Sequence, residues 1–175
     1  MIKIVLLMVT FVAFSNAGAT QGNLRYVAPE GWTVRSPSSS MRTAEFVLPK
    51  AAGDAEDSEL IVFYFGGGGG SVEANLQRWI SQMEQPDGRP SRSVAKVDEF
   101  TTNSLKVTVL DIPGTLVAPV MPGQPKSQNK RNFRLIAAVI ETPAGPYFVR
   151  VTGPERTVEN WKSSIDNFFR SVSFR

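Results

Sequence analysis

The chain has 175 residues, 42% hydrophobic and 20% charged, which suits one globular domain with an ordinary core and argues against intrinsic disorder. It contains no cysteine and no histidine, which closes disulfide frameworks, thiolate metal sites, cysteine nucleophiles, zinc hydrolysis of the usual kinds and Ser-His-Asp chemistry. Lysine and arginine exceed aspartate and glutamate by 19 to 16, an excess too small to hold a polyanion, and no basic patch carries stacking aromatics, so nucleic-acid binding is not expected.

Met1-Ile2-Lys3 gives a short positive start, and Ile4 to Phe14 is apolar except for Thr10. Ser15-Asn16-Ala17-Gly18-Ala19 then supplies small residues of the A-x-A type. This is the layout of a secretory signal peptide covering residues 1–19, cleaved after Ala19 or, alternatively, after Ala17. The apolar run is shorter than the ~20 residues a membrane span needs, and no second stretch replaces it. Without a cysteine to carry lipid, the expected product is a periplasmic or secreted protein, residues 20–175, folded as one domain with no transmembrane span.

Leu24 to Val27 reads as an extended lead-in, followed by a turn at Ala28-Pro29-Glu30-Gly31 and a strand from Trp32 to Arg35. Arg42 to Leu48 alternates Ala44, Phe46 and Leu48 against Glu45, the pattern of a half-buried strand. After a small, acidic segment from Ala51 to Glu59, the run Leu60 to Phe65 is apolar throughout and predicts a central strand covered on both faces. Gly66 to Gly70 lead into a helix with Ser71 as its N-cap and an apolar stripe of Val72, Leu76, Trp79, Ile80 and Met83.

Ser93 to Phe100 and Leu105 to Ile112 predict a hairpin turning at residues 101–104. The Pro-, Gly- and Gln-rich stretch from Pro113 to Asn132 predicts a long loop. A second hairpin follows, Phe133 to Ile140 and Tyr147 to Thr152, ended by Gly153-Pro154. A closing helix starts near Thr157, with the stripe Val158, Trp161, Ile165, Phe168, Phe169 and Val172. The fold class is therefore α+β: a mostly antiparallel sheet of about six or seven strands covered by two amphipathic helices on different sides.

Several stretches support a family likeness. Pro29-Glu30-Gly31-Trp32, the strand–glycine–helix middle, Tyr147-Phe148-Val149-Arg150-Val151-Thr152-Gly153-Pro154 and the tail Phe169-Arg170-Ser171-Val172-Ser173-Phe174 resemble the PsbP/Mog-like superfamily. That superfamily includes photosystem II extrinsic subunits, a Ran-binding protein and periplasmic proteins of the DcrB type. Ser40-Met41-Arg42, Gly53-Asp54, Val72-Glu73-Ala74-Asn75 and Arg78-Trp79 resemble, more closely, a family of exported bacterial proteins without an assigned activity. The resemblance implies a binding or assembly role rather than catalysis.

Candidate sites follow from residue chemistry. Gly66, Gly67, Gly68, Gly69, Gly70 and Ser71 could present backbone N–H groups to an anion at a helix start, although the lysine of a phosphate-binding loop is missing. Met121, Lys126, Lys130 and Arg131, in the long loop, mix apolar and basic character that suits an acidic partner or a membrane surface. Asp54, Glu56, Asp57 and Glu59 lack calcium-loop spacing, so no metal and no cofactor are expected. The reading is a non-enzymatic binding or assembly module for another envelope protein. An anion- or small-molecule-binding protein using the glycine loop is the alternative, and a carboxylate-based hydrolase the third.

Overall fold

Residues 24–117 and 129–175 are described by a computed structural model. Strands β1 (Leu24–Arg25), β2 (Thr33–Arg35), β3 (Arg42–Leu48) and β4 (Ser58–Tyr64) precede helix α1 (Val72–Ile80). Then come β5 (Met83–Glu84), a 3-10 turn at Ser91–Ser93, β6 (Lys96–Thr102), β7 (Leu105–Leu116), β8 (Lys130–Glu141) and β9 (Tyr147–Pro154). Helices α2 (Glu155–Asn160) and α3 (Lys162–Ser171) and strand β10 (Ser173–Phe174) close the chain.

Eight strands form one antiparallel sheet in the order β2-β3-β4-β9-β8-β7, with β6 and β5 sharing the outer edge of β7. Strands β1 and β10 form a separate two-stranded clasp. The α+β class and the mostly antiparallel sheet are those expected from the sequence.

The central strands are apolar on both sides because both sides are covered. In β8, Ile136, Ala138 and Ile140 join the cluster under α2 and α3, with Ile165, Phe168, Phe169 and Val172. Their neighbours Leu135, Ala137 and Val139 face the other way, into a cluster with Leu76, Trp79 and Ile80 of α1. The two-residue period of the strand thus divides one apolar run between two cores. With nine residues, α1 is only about 13 Å long at 1.5 Å per residue. It lies over β7 and β8 and reaches Phe148 of β9, and among the described residues no helix covers the same face of β2, β3 and β4.

Several sequence expectations change. The loop expected over 113–132 is strand at both of its ends, since β7 continues to Leu116 and β8 begins at Lys130, and its residues 118–128 lie outside the described residues. Pro113 is tolerated because its carbonyl accepts from Gln85 Nε2 at 2.9 Å on the outer edge of β7. Backbone N and O of one residue point the same way in a strand, so the missing N–H also falls on that edge, in the gap between β6 and β5. Gly114 (φ +150°) sits where a Cβ would stand 2.6 Å from the Glu84 carbonyl oxygen, and the ladder shifts register between Gly114 and Leu116.

The single closing helix is instead two segments broken at Trp161 (φ −93°, ψ 2°). The indole Nε1 donates to the Pro49 carbonyl at 2.8 Å, which ties the break to the loop after β3. Strand β9 also runs through Gly153 to Pro154, so α2 begins at Glu155 rather than Thr157. Its first turn has no cap of its own. Asp54 supplies one from the acidic loop, its Oδ2 accepting from Thr157 N at 3.0 Å and Thr157 Oγ1 at 2.6 Å. Met83, assigned to the α1 stripe by its spacing, belongs to β5 and still reaches the same core.

Candidate functional site: an arginine and aromatic hollow beside the first helix

Beside α1, on the same face of the sheet, lies Arg150. This residue lies on β9, paired with Ile61 of β4 on one side and Ala137 of β8 on the other. Its Nε is buried and has no hydrogen-bond partner, and among the described residues its guanidinium enters no ion pair. Burial draws its pKa below the ordinary arginine value; Glu59 acts in the opposite sense, and Arg42 and Arg78 push it further down. A charge left unpaired on a central strand is costly, so packing alone does not account for it.

Two hollows meet at this side chain. The larger, about 490 Å³, is bordered by Arg35, Lys50, Glu56, Glu59, Lys130 and Thr152 as well as Arg150. The smaller, about 230 Å³, is lined by Phe63, Phe65, Arg78, Trp79, Gln82, Phe148 and Arg150. Phe63 and Phe65 are stacked, with centroids 6.1 Å apart and planes 11° from parallel. Phe148 lies 5.6 Å from Phe65 and 6.5 Å from Trp79.

The other arginines are held from behind. Arg78, in the last turn of α1, donates through Nη2 to Asn75 Oδ1. Asn75 is buried, and its Nδ2 donates at 2.9 Å to the carbonyls of both Gly69 and Ser71. Arg42 is 3.1 Å from Glu45 Oε1 and lies 5.8 Å from the Phe63 ring centroid.

The glycine loop therefore forms the backing of this hollow. Gly69 has φ +112°, and a Cβ there would stand 2.4 Å from the Phe148 ring and 3.1 Å from Phe65. Gly67 lies against the turn after β8, where a Cβ on Gly145 would come within 2.4 Å of its Cα. Gly66, Gly67 and Gly70 also have positive φ, and Gly68 N donates to the Phe65 carbonyl at 3.1 Å. Ser71 caps α1, its Oγ accepting from Ala74 N at 3.2 Å.

Of the four residues assigned to partner binding, Met121 and Lys126 lie outside the described residues. Lys130 borders the larger hollow, pairs with Glu56 at 2.5 Å and lies 5.1 Å from the Phe133 ring centroid. Arg131 is exposed. In the acidic segment, Asp57 Oδ1 accepts from Lys50 N at 2.9 Å and Glu59 Oε1 from Thr152 Oγ1 at 3.5 Å. Arg150, Arg78, Phe63 and Phe65 were not singled out as site residues from the sequence. The available signal was a lone charge inside the apolar strand Tyr147 to Thr152.

Comparison with solved structures shows the fold and nothing finer. A crystal structure of the Pseudomonas aeruginosa protein of unknown function PA94 aligns with TM-score 0.52 and 10% identity, covering 82% of this chain and 97% of that one. The solution structure of cyanobacterial PsbP (CyanoP) from Synechocystis sp. PCC 6803 aligns with TM-score 0.49 and 12% identity, covering 92% and 96%. No family model matches the chain, and no curated protein matches it. Among the described residues, no helix is long and apolar enough to cross a membrane.

Proposed function

We propose that this chain is an exported, non-enzymatic binding module that takes an anionic ligand on the open half-face of its sheet. The observation that carries this reading is Arg150, a guanidinium on a central strand with a buried Nε and no partner among the described residues. An anion entering either hollow would pair with the terminal Nη groups of this guanidinium, and a charge-assisted bond is about twice as strong as a neutral one. The absence of histidine and cysteine supports binding over catalysis. Lys130, on the rim of the larger hollow, supports a ligand that is part of a larger acidic partner in the envelope.

The test is thermal unfolding at low ionic strength with chloride, acetate or phosphate added. Acetate and phosphate raise the midpoint of the wild-type chain, and the rise disappears in Arg150→Gln. Equal midpoints in all three salts would remove the reading. Export is tested separately by the intact mass of the protein recovered from the cell envelope, which should lack residues 1–19.

A further inference from the structure

The smaller hollow carries a more specific assignment, which rests on the reading of Arg150 as an anion site. We infer that it binds a small aromatic carboxylate, with the acid group on Arg150 and Arg78 and the ring among Phe63, Phe65, Phe148 and Trp79.

Three features point to this class of ligand. First, two arginines line one hollow, and among the described residues neither has a carboxylate partner. Arg78 is positioned instead by the neutral Asn75, itself anchored on the Gly69 and Ser71 carbonyls, so its charge is oriented but not neutralised. Planar guanidinium groups match a carboxylate in a way a lysine does not.

Second, the remaining lining is aromatic. Phe65 stays 37% exposed although it touches Phe148, which is 2% exposed, so an apolar ring face is left open next to a packed one. An inorganic anion would use the arginines and leave these rings uncovered. A sugar would need several neutral hydrogen-bonding side chains, and the lining offers Gln82 and the Trp79 indole N–H.

Third, size decides between one ring and several. At about 230 Å³ the hollow falls below the ~300–1,000 Å³ of sites for drug-sized ligands. A single ring bearing an acid group fits this hollow by itself, whereas a nucleotide or an oligosaccharide would have to extend beyond it.

Calorimetric titration of the full chain tests the assignment with acetate, inorganic phosphate, benzoate, phenylacetate and neutral benzamide. Benzoate or phenylacetate should bind at least about tenfold more tightly than acetate, and benzamide should not bind measurably. Arg150→Gln should weaken every acid about tenfold or more, and Arg78→Gln serves in its place if the first variant unfolds. Phe65→Ala, at a partly exposed position, should erase most of the aromatic preference, bringing benzoate and phenylacetate down to the affinity of acetate. If acetate and phosphate bind through Arg150 but the aromatic acids gain nothing, this assignment fails while the anion reading stands. If no acid binds, both fail. An aromatic preference that survives Phe65→Ala also overturns the placement of the ring.

Discussion

The two faces of the sheet are built for different ends. Under α2 and α3, Phe168 is fully buried and meets the rings of Tyr26, Trp32, Phe46 and Phe169 at centroid distances of 4.9, 5.7, 6.1 and 6.0 Å. A charge on that side is paired, Arg134 of β8 meeting Asp111 of β7 at 2.7 Å and also Glu159 of α2. On the other face, a short helix covers only part of the strands, and Glu45, Thr108, Arg150 and Thr152 all point that way. One side fixes the fold. The other carries Arg150, a charge on a central strand that no carboxylate pairs among the described residues.

That contrast is broken most severely from the closed side. Phe168→Ala removes the ring on which four others converge and should cost about 3–5 kcal/mol, read as a fall in the denaturant midpoint at unchanged slope. On the open side the most damaging change is at the backing of the hollow. Gly69→Val faces both φ +112° and a Phe148 ring only 2.4 Å from the new Cβ. A loss of about 1–3 kcal/mol should follow, accompanied by loss of ligand response because Phe148 and Asn75 shift.

Arg150→Met should run the other way. It replaces an unpartnered, largely buried charge by an apolar chain, so stability should rise by about 1 kcal/mol while the anion-induced shift vanishes. A fall in stability would mean that Arg150 is structural and that the contrast between the faces is smaller than drawn.

The smallest effect concerns acid. The Ser38 backbone N–H, at 2.7 Å, is the main cause holding the Glu45 carboxyl below its ordinary value, with the Ser38 hydroxyl and Arg42 adding to it. A carboxyl whose folded pKa is depressed contributes stability that is present above its unfolded value, about 4.3, and is lost as pH falls through the folded one. Melting midpoints of wild type and Glu45→Gln, followed from about pH 7 to about pH 3, should therefore converge at the acid end.

Much of the frame was legible because its signals are local. Arg42 to Leu48 alternates over its whole length and is β3; Ser71 followed by an apolar stripe is the start of α1. The hairpin at Asn103-Ser104 was also placed, though it is tighter than expected: Thr102 pairs with Leu105, and both turn residues have positive φ, 47° and 65°. The misread segments depend on distant partners. Pro113 stays in a strand because Gln85 and the end of β6 leave its missing N–H a place, and Trp161 breaks a helix because Pro49 holds its indole. Strands of two residues, β1, β5 and β10, carry no periodicity to read.

The site was harder still. Arginine in an alternating strand ordinarily faces water, and nothing in Val149-Arg150-Val151 says that this one does not. Its isolation follows from where β4, β8 and α1 settle around it. The glycine run was visible, but its service to Asn75 and the Phe148 ring needs three dimensions to appear.

The pairing of β4 with β9 has a consequence in time. Synthesis proceeds from the N-terminus, so Leu60, Ile61 and Val62 have left the ribosome long before Val149 and Val151, their partners across the middle of the sheet, exist. The clasp of Leu24 with Phe174 waits longer still. Through most of its making, the nascent chain carries a bare apolar edge that invites wrong partners. A chaperone that keeps β4 covered until the last third has emerged would shorten that hazard.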